Sequence, residues 1–143
     1  MEGLEFVLVR EDSAAAVILE NLTVNERGFD ELAPDVDPSA VDGFRSHLRD
    51  CAAVTARADG VAVAGGMFTP VRESRCELMG IATLAPYRRQ GFGTALTAEL
   101  VRAAIAAGAE TVFLTTDDAT ALRSYRRVGF RDVPSDPAVP SHS

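Results

Sequence analysis

Apolar positions switch between strand-like and helix-like spacing several times along the chain. The opening "LEFVLVRE", residues 4–11, reads as a strand. Asp12 and Ser13 then stand as N-cap candidates for a helix through "AAAVILENL". Residues 25–42, with Gly28, Pro34 and Pro38, read as loop. In "VDGFRSHL", Val41, Phe44 and Leu48 fall on one side of a short helix. "CAAVTARADGVAVAGGMFT" predicts two strands joined at Asp59-Gly60, a strong hairpin signal. "RCELMGIATL" predicts a third strand, apolar on both faces and therefore central. After "YRRQGFG", Leu96, Leu100, Ala103 and Ala107 form a helical row that Val101 and Ile105 widen, and Gly108 is placed to end it. "ETVFLTT" predicts another buried strand. Asp117 or Asp118 can cap a helix through Arg127 that Gly129 ends, and "FRDV" predicts a last short strand. The order β-α-α-β-β-β-α-β-α-β implies a mixed sheet with helices on both faces.

Composition narrows the classes. The 143 residues suit one domain, residues 1–133, with a Pro/Ser-rich tail at 134–143 expected to be disordered. Hydrophobic residues make up 47%, enough for a core without disulfides or metal. Cys51 and Cys76 lie in strand-like segments outside any CxxC pattern, so they read as reduced core thiols of a cytoplasmic protein with no metal. No apolar run is long enough for a membrane span, and Glu2 with the short run after it speaks against a signal peptide. The net charge is −7 and all 14 basic residues are arginine. A chain without lysine has neither a Lys Schiff base nor a P-loop. Its acidity also argues against nucleic acid as a partner.

The stretch Arg88-Arg89-Gln90-Gly91-Phe92-Gly93 stands where a strand hands over to a helix. A helix start exposes unpaired N–H groups and the positive end of the dipole. Glycines let an anion approach that backbone, and arginines add charge. The combination predicts a pyrophosphate cradle. It is not the dinucleotide fingerprint, because Leu96 stands where the third glycine would be.

These residues resemble the GCN5-related N-acetyltransferases (GNAT). The family's acyl-CoA motif, Arg/Gln-x-x-Gly-x-Gly/Ala, is matched by residues 88–93 with Pro86-Tyr87 ahead. Its second signature, a strand and a helix ending in "Y…GF", is matched by "VFLTT-DDATALRSYRRVGF" with Tyr125, Gly129 and Phe130. The resemblance covers residues 4–133 and is strongest over 76–130. It implies an α/β (α+β) fold: a mixed, mostly antiparallel sheet of six or seven strands, helices on both faces, and central strands that splay apart. It implies acetyl-CoA as acyl donor. The pyrophosphate would rest on the backbone of Arg89, Gln90, Gly91, Phe92, Gly93 and Thr94, with Arg88 or Arg89 on a phosphate. The pantetheine arm would lie along Ala82, Thr83 and Leu84. A primary amine would attack the thioester directly, with an oxyanion donor from the strand near Leu84, Tyr125 as acid for the leaving thiolate, and Glu77 as candidate base.

The residues themselves leave alternatives. Tyr125 shares an apolar helical stripe with Leu122 and Val128, where a core tyrosine is equally at home. Glu77 shares a strand face with Met79, Ile81 and Thr83, and could simply pair with Arg75 while water takes the proton. Asp118 replaces the asparagine with which many family members hold pantetheine, so a plain helix cap is the simpler role. Glu26, Asp30, Glu31, Asp35, Asp37 and Asp42 face one base, Arg27. They form either a solvated loop or an acidic lip that favours a cationic amine. His47 reads as a surface residue. The chain stops soon after "GFRDV", where many members continue into another strand, so the acceptor side is either open or completed by a second copy in a homodimer. The rival reading is a non-catalytic acyl-CoA-binding module that retains the cradle.

Overall fold

The computed structural model describes residues 3–116 and 119–131. Its elements are β1 Leu4–Val9, α1 Ala15–Phe29, α2 Ala40–His47, β2 Ala52–Ala58, β3 Val61–Phe68, β4 Arg75–Thr83, a 3-10 turn Ala85–Tyr87, α3 Phe92–Ala106, β5 Thr111–Phe113 and α4 Ala119–Val128. The five strands lie in sequence order. Pairing is antiparallel from β1 to β4 and parallel between β4 and β5, where α3 makes the crossover.

Two apolar layers sandwich this sheet. On one face α1 and α2 bring Ile18, Val41 and Leu48 against Val9 and Ala53. On the other, Phe92, Leu96, Leu100 and Ala104 of α3 pack on Val54, Phe68, Cys76 and Leu78. Ala104 therefore belongs to the buried row in place of the expected Ala103 and Ala107, while Ile105 is 58% exposed.

Where backbone conformation alone decides, the sequence expectations hold. Asp59 and Gly60 join β2 to β3 at φ of 51° and 82°, the pair of positive angles a tight hairpin turn requires. Gly108, at φ 108°, donates to the Ile105 carbonyl while Ala109 donates to that of Ala104, a Schellman stop for α3.

Four expectations are corrected. The sheet has five strands among the described residues. Phe130 and Arg131 are irregular, and the rest of the expected last strand and the tail lie outside the described residues. The N-cap of α1 is Ala14, with no side-chain cap bond. The Ser13 hydroxyl instead accepts the Arg10 N–H at 2.8 Å. Finally, α1 runs on to Phe29 through what read as loop. Its buried row Ile18, Asn21, Val24 and Gly28 keeps helical spacing. Tertiary partners hold this row in place. Asn21 is 1% exposed and donates to Thr55 Oγ1 at 2.9 Å and to the Val54 carbonyl at 3.3 Å.

Gly28 has a packing role. A Cβ built there would stand 2.6 Å from Ala82 Cβ on β4. Gly28→Ala is expected to lower stability despite its better helix propensity. Overpacking costs about 1–3 kcal/mol, whereas propensity returns about 1 kcal/mol. Gly43→Ala in α2, where a Cβ meets nothing within 4 Å, should be neutral or stabilising. Thermal melts of the pair check the opposite signs, and a stable Gly28→Ala protein would refute the close α1–β4 contact.

Candidate active site

Three elements meet at the end of β4. The ladder with β5 covers only Arg75–Glu77 against Thr111–Phe113, although β4 itself continues to Thr83. Beyond Glu77 the outward edge of β4 is uncovered by β5. This is the expected splay, and an uncovered strand edge offers backbone donors and acceptors to an extended ligand. One donor is already engaged: the Leu84 N–H bonds to the Val63 carbonyl at 2.9 Å. An oxyanion donor at this strand end, as the resemblance implies, would therefore have to be a neighbouring N–H.

From Leu84 the chain makes the 3-10 turn and enters α3. Arg89 has φ 64°, and Gly91, the N-cap, has φ 87° with no side-chain cap bond. The N–H groups of Phe92, Gly93 and Thr94 therefore open the helix as orphan donors. Positive φ at Arg89 and Gly91, with Gln90 of ordinary hand between them, curls such a turn into a concave nest for an anion. Tyr87 and Phe92 fix it from below, their rings edge-to-face at 6.1 Å, and Phe92 is 9% exposed. Phe92 therefore contributes backbone to the cradle and its side chain to the core. Gln90 braces the turn by donating to the Pro86 carbonyl at 3.1 Å.

The two arginines differ. Arg88 donates from Nε to the Thr83 carbonyl at 3.1 Å and from Nη2 to the Gly28 carbonyl at 2.7 Å. Arg89 is exposed beside the nest.

Glu77 lies on β4 with its N–H on Thr69 Oγ1 at 2.9 Å and its carbonyl accepting the Thr69 N–H at 2.8 Å. Arg75 approaches Glu73 at 4.0 Å, so the alternative pairing with Glu77 is not formed. The expected face-sharing is corrected by a bulge. Gly80 has φ 64°, and the β3–β4 register shifts between Gly65 and Met67, which leaves an extra residue on β4. Cys76 and Leu78 pack under α3, and after the bulge so does Ile81. Thr83 Oγ1 lies beside the position of a Cβ on Gly93. Glu77 and Met79 consequently share the α1 face with Ala82, not with Ile81 and Thr83. Met79 is 48% exposed, so the sheet is open beside Glu77. Asn25 of α1 overhangs the bulge: a Cβ on Gly80 would stand 3.4 Å from its Oδ1. The sequence reading missed Asn25, although a glycine inside a strand is a bulge signal.

Tyr125 lies on the other face, where α4 packs beside α3. Gly129, at φ 114°, donates to the Arg126 carbonyl, and Phe130 donates to that of Tyr125. This is a second Schellman stop, and its apolar contact is the Tyr125–Phe130 ring pair at 6.2 Å. The "Y…GF" signature is thus a way to end a helix with its tyrosine held in place. Tyr125 also lines a cavity of about 670 Å³ with Val112, Leu114, Leu122 and Val128. No residue of the cradle lines it, and Glu77 faces the opposite side of the sheet. Asp118 lies outside the described residues.

In the acidic segment, Asp30 and Asp37 accept the N–H groups of Leu32 and Ser39, and Asp35 pairs with Arg27. The bond from Ser39 holds the Asp37 carboxyl below its ordinary value. His47 is exposed, as expected. Burial raises both cysteine thiols, which keeps them protonated. Among the described residues, no group of three or more His, Cys, Asp or Glu could hold a metal, and no helix is long and apolar enough to cross a membrane.

The sequence profile of the Acetyltransferase (GNAT) family matches residues 19–130. The chain belongs to this acetyltransferase family. No curated protein matches the sequence. An aminoglycoside acetyltransferase from an uncultured soil metagenomic sample, solved with sisomicin, superposes with a TM-score of 0.72 at 17% identity, covering 94% of each chain. An aminoglycoside N-acetyltransferase solved with CoA gives 0.69 at 18% identity, covering 93% of this chain and 91% of that one. A GCN5-related N-acetyltransferase from Kribbella flavida gives 0.65 at 28% identity, covering 92% of this chain and 47% of that one.

Proposed function

We propose that the chain is an acetyl-CoA-dependent N-acetyltransferase acting on a primary amine by direct attack in a ternary complex. The observation that carries this reading is the left-handed Gly91 cap, which opens α3 beside the uncovered edge of β4. That pairing offers an anion nest and a strand edge to one ligand, which suits a pyrophosphate with an extended amide arm. The CoA-bound neighbour supports the same donor.

Residues 89–94 hold the pyrophosphate, and the edge at Ala82, Thr83 and Leu84 aligns the pantetheine. The amine arrives on the α1 face, where Glu77 stands beside open ground and takes its proton directly or through water. The nitrogen lone pair forms the C–N bond, the C–S bond breaks, and Tyr125 assists the departing sulfur from the α3 face. The acidic segment after α1 favours a cationic acceptor. The aminoglycoside-acetylating neighbours are consistent with such a substrate.

The test is thiol release from acetyl-CoA across polyamines, aminoglycosides, amino acids and lysine peptides. Amine-dependent release is expected with at least one class. No release, with acetyl-CoA binding intact by calorimetry, would favour a binding module. Glu77→Gln should lower turnover about 10²-fold at neutral pH if the carboxylate is the base. Unchanged turnover would assign the proton to water.

A further inference from the structure

We infer that Arg88, although it opens the acyl-CoA motif, acts on the acceptor side of the site as a positioning residue. Its guanidinium joins the Gly28 carbonyl of α1, 60 residues away in sequence, to the Thr83 carbonyl at the end of β4. The Gly28 carbonyl belongs to the last turn of α1, where carbonyls lack helical partners and the dipole is negative. A cation is stabilised there, and its charge is partly offset before any phosphate arrives. The contact is built from both sides. Gly28 lies so close to Ala82 that a side chain would not fit, and Arg88 bolts the same turn to the next residue of β4. The Arg88 N–H is itself engaged with the Ala85 carbonyl at 3.3 Å.

The acidic segment hangs from that turn. Arg27 reaches forward to Asp35, and Asp30 accepts the Leu32 N–H. Arg88 thus fixes where the acceptor wall begins. Arg89, exposed on the nest at positive φ, remains as the cation facing phosphate. This assignment rests on the acetyltransferase reading, but its geometric half does not.

Two measurements test it. In kinetics, Arg88→Ala should raise the amine KM about tenfold, the loss of a charge-assisted hydrogen bond, and change acetyl-CoA affinity less than about threefold. Arg89→Ala should show the reverse split. In hydrogen exchange on the ligand-free protein, Arg88→Ala should expose the amides of Asp30, Leu32 and Ala33 while leaving the middle of α3 protected. Arg88→Gln, which keeps a donor, serves if the alanine variant does not fold. The inference is overturned if Arg88→Ala weakens acetyl-CoA binding more than amine binding, or if exchange after Gly28 is unchanged. Should wild-type protein neither bind acetyl-CoA nor release thiol, the acetyltransferase reading fails, and the exchange result alone decides for or against the strut.

Discussion

A Gly91→Glu variant is expected to lose acetyl-CoA binding by at least about a hundredfold while keeping its fold. Two effects add. Gly91 sits at φ 87°, where any L side chain is strained by about 1–2 kcal/mol. That strain lowers stability modestly, and Gly91→Ala isolates it. The second effect is electrostatic. The glutamate carboxylate would occupy the concavity meant for pyrophosphate, at the positive end of α3. Two like charges about 4 Å apart at a protein surface repel by about 4 kcal/mol, which alone exceeds a hundredfold. The same carboxylate is tolerated by the helix, since acids near an N-terminus are stabilising. Calorimetry with acetyl-CoA, beside a thermal melt, separates the two effects. Near-native affinity in the Glu variant would remove the cradle from the mechanism.

The turn on which the proposed donor half is built was legible because it is local. Gly91 and Gly108 each stand where one backbone angle favours glycine, and the hairpin at Asp59-Gly60 follows the same logic. The helix after the cradle announced itself by period, though the last two residues of its expected inner row, Ala103 and Ala107, gave way to Ala104. What the sequence hid depends on distant partners. Gly28 looks like a helix breaker until Ala82 is seen beneath it, and nothing local shows that Asn21 is buried against Thr55. Gly80 looks like one residue of an alternating strand, yet its bulge reverses the faces of everything after it. Arg88 is hardest of all. Charge and motif position suggest a phosphate ligand, and only the Gly28 carbonyl, brought near by folding, shows where the guanidinium goes.

The same distinction explains why the acceptor was not readable. Period-two spacing on β4 links Glu77 to Met79 just before the bulge, but no spacing rule brings Asn25 of α1 to the same face. The donor needs an anion nest and a strand edge, which short motifs encode. On the proposed reading the acceptor meets a wall assembled from α1, its following segment and the outer half of β4. Family membership therefore carries the acetyl donor much further than it carries the amine.

Tyr125→Phe is expected to lower kcat about 10–100-fold and to change acetyl-CoA affinity by less than about twofold. The substitution keeps the ring, so the edge-to-face contact with Phe130 and the end of α4 survive. Any loss then belongs to the hydroxyl. The expected size follows from acidities. An ordinary phenol has a pKa of about 10 and a thiol about 8.5, so full proton transfer to the thiolate is uphill by about 2 kcal/mol. In the proposed mechanism Tyr125 would therefore act chiefly by hydrogen-bonding the sulfur as charge develops, with water completing the protonation. Such an interaction exists in the transition state and is nearly absent in the bound thioester, which is why kcat falls and affinity does not. An acyl donor with a more acidic thiol should be less sensitive to the change, because its leaving group needs less help. Equal turnover by the Phe variant with both donors would leave Tyr125 as the apolar stop of α4 and nothing more.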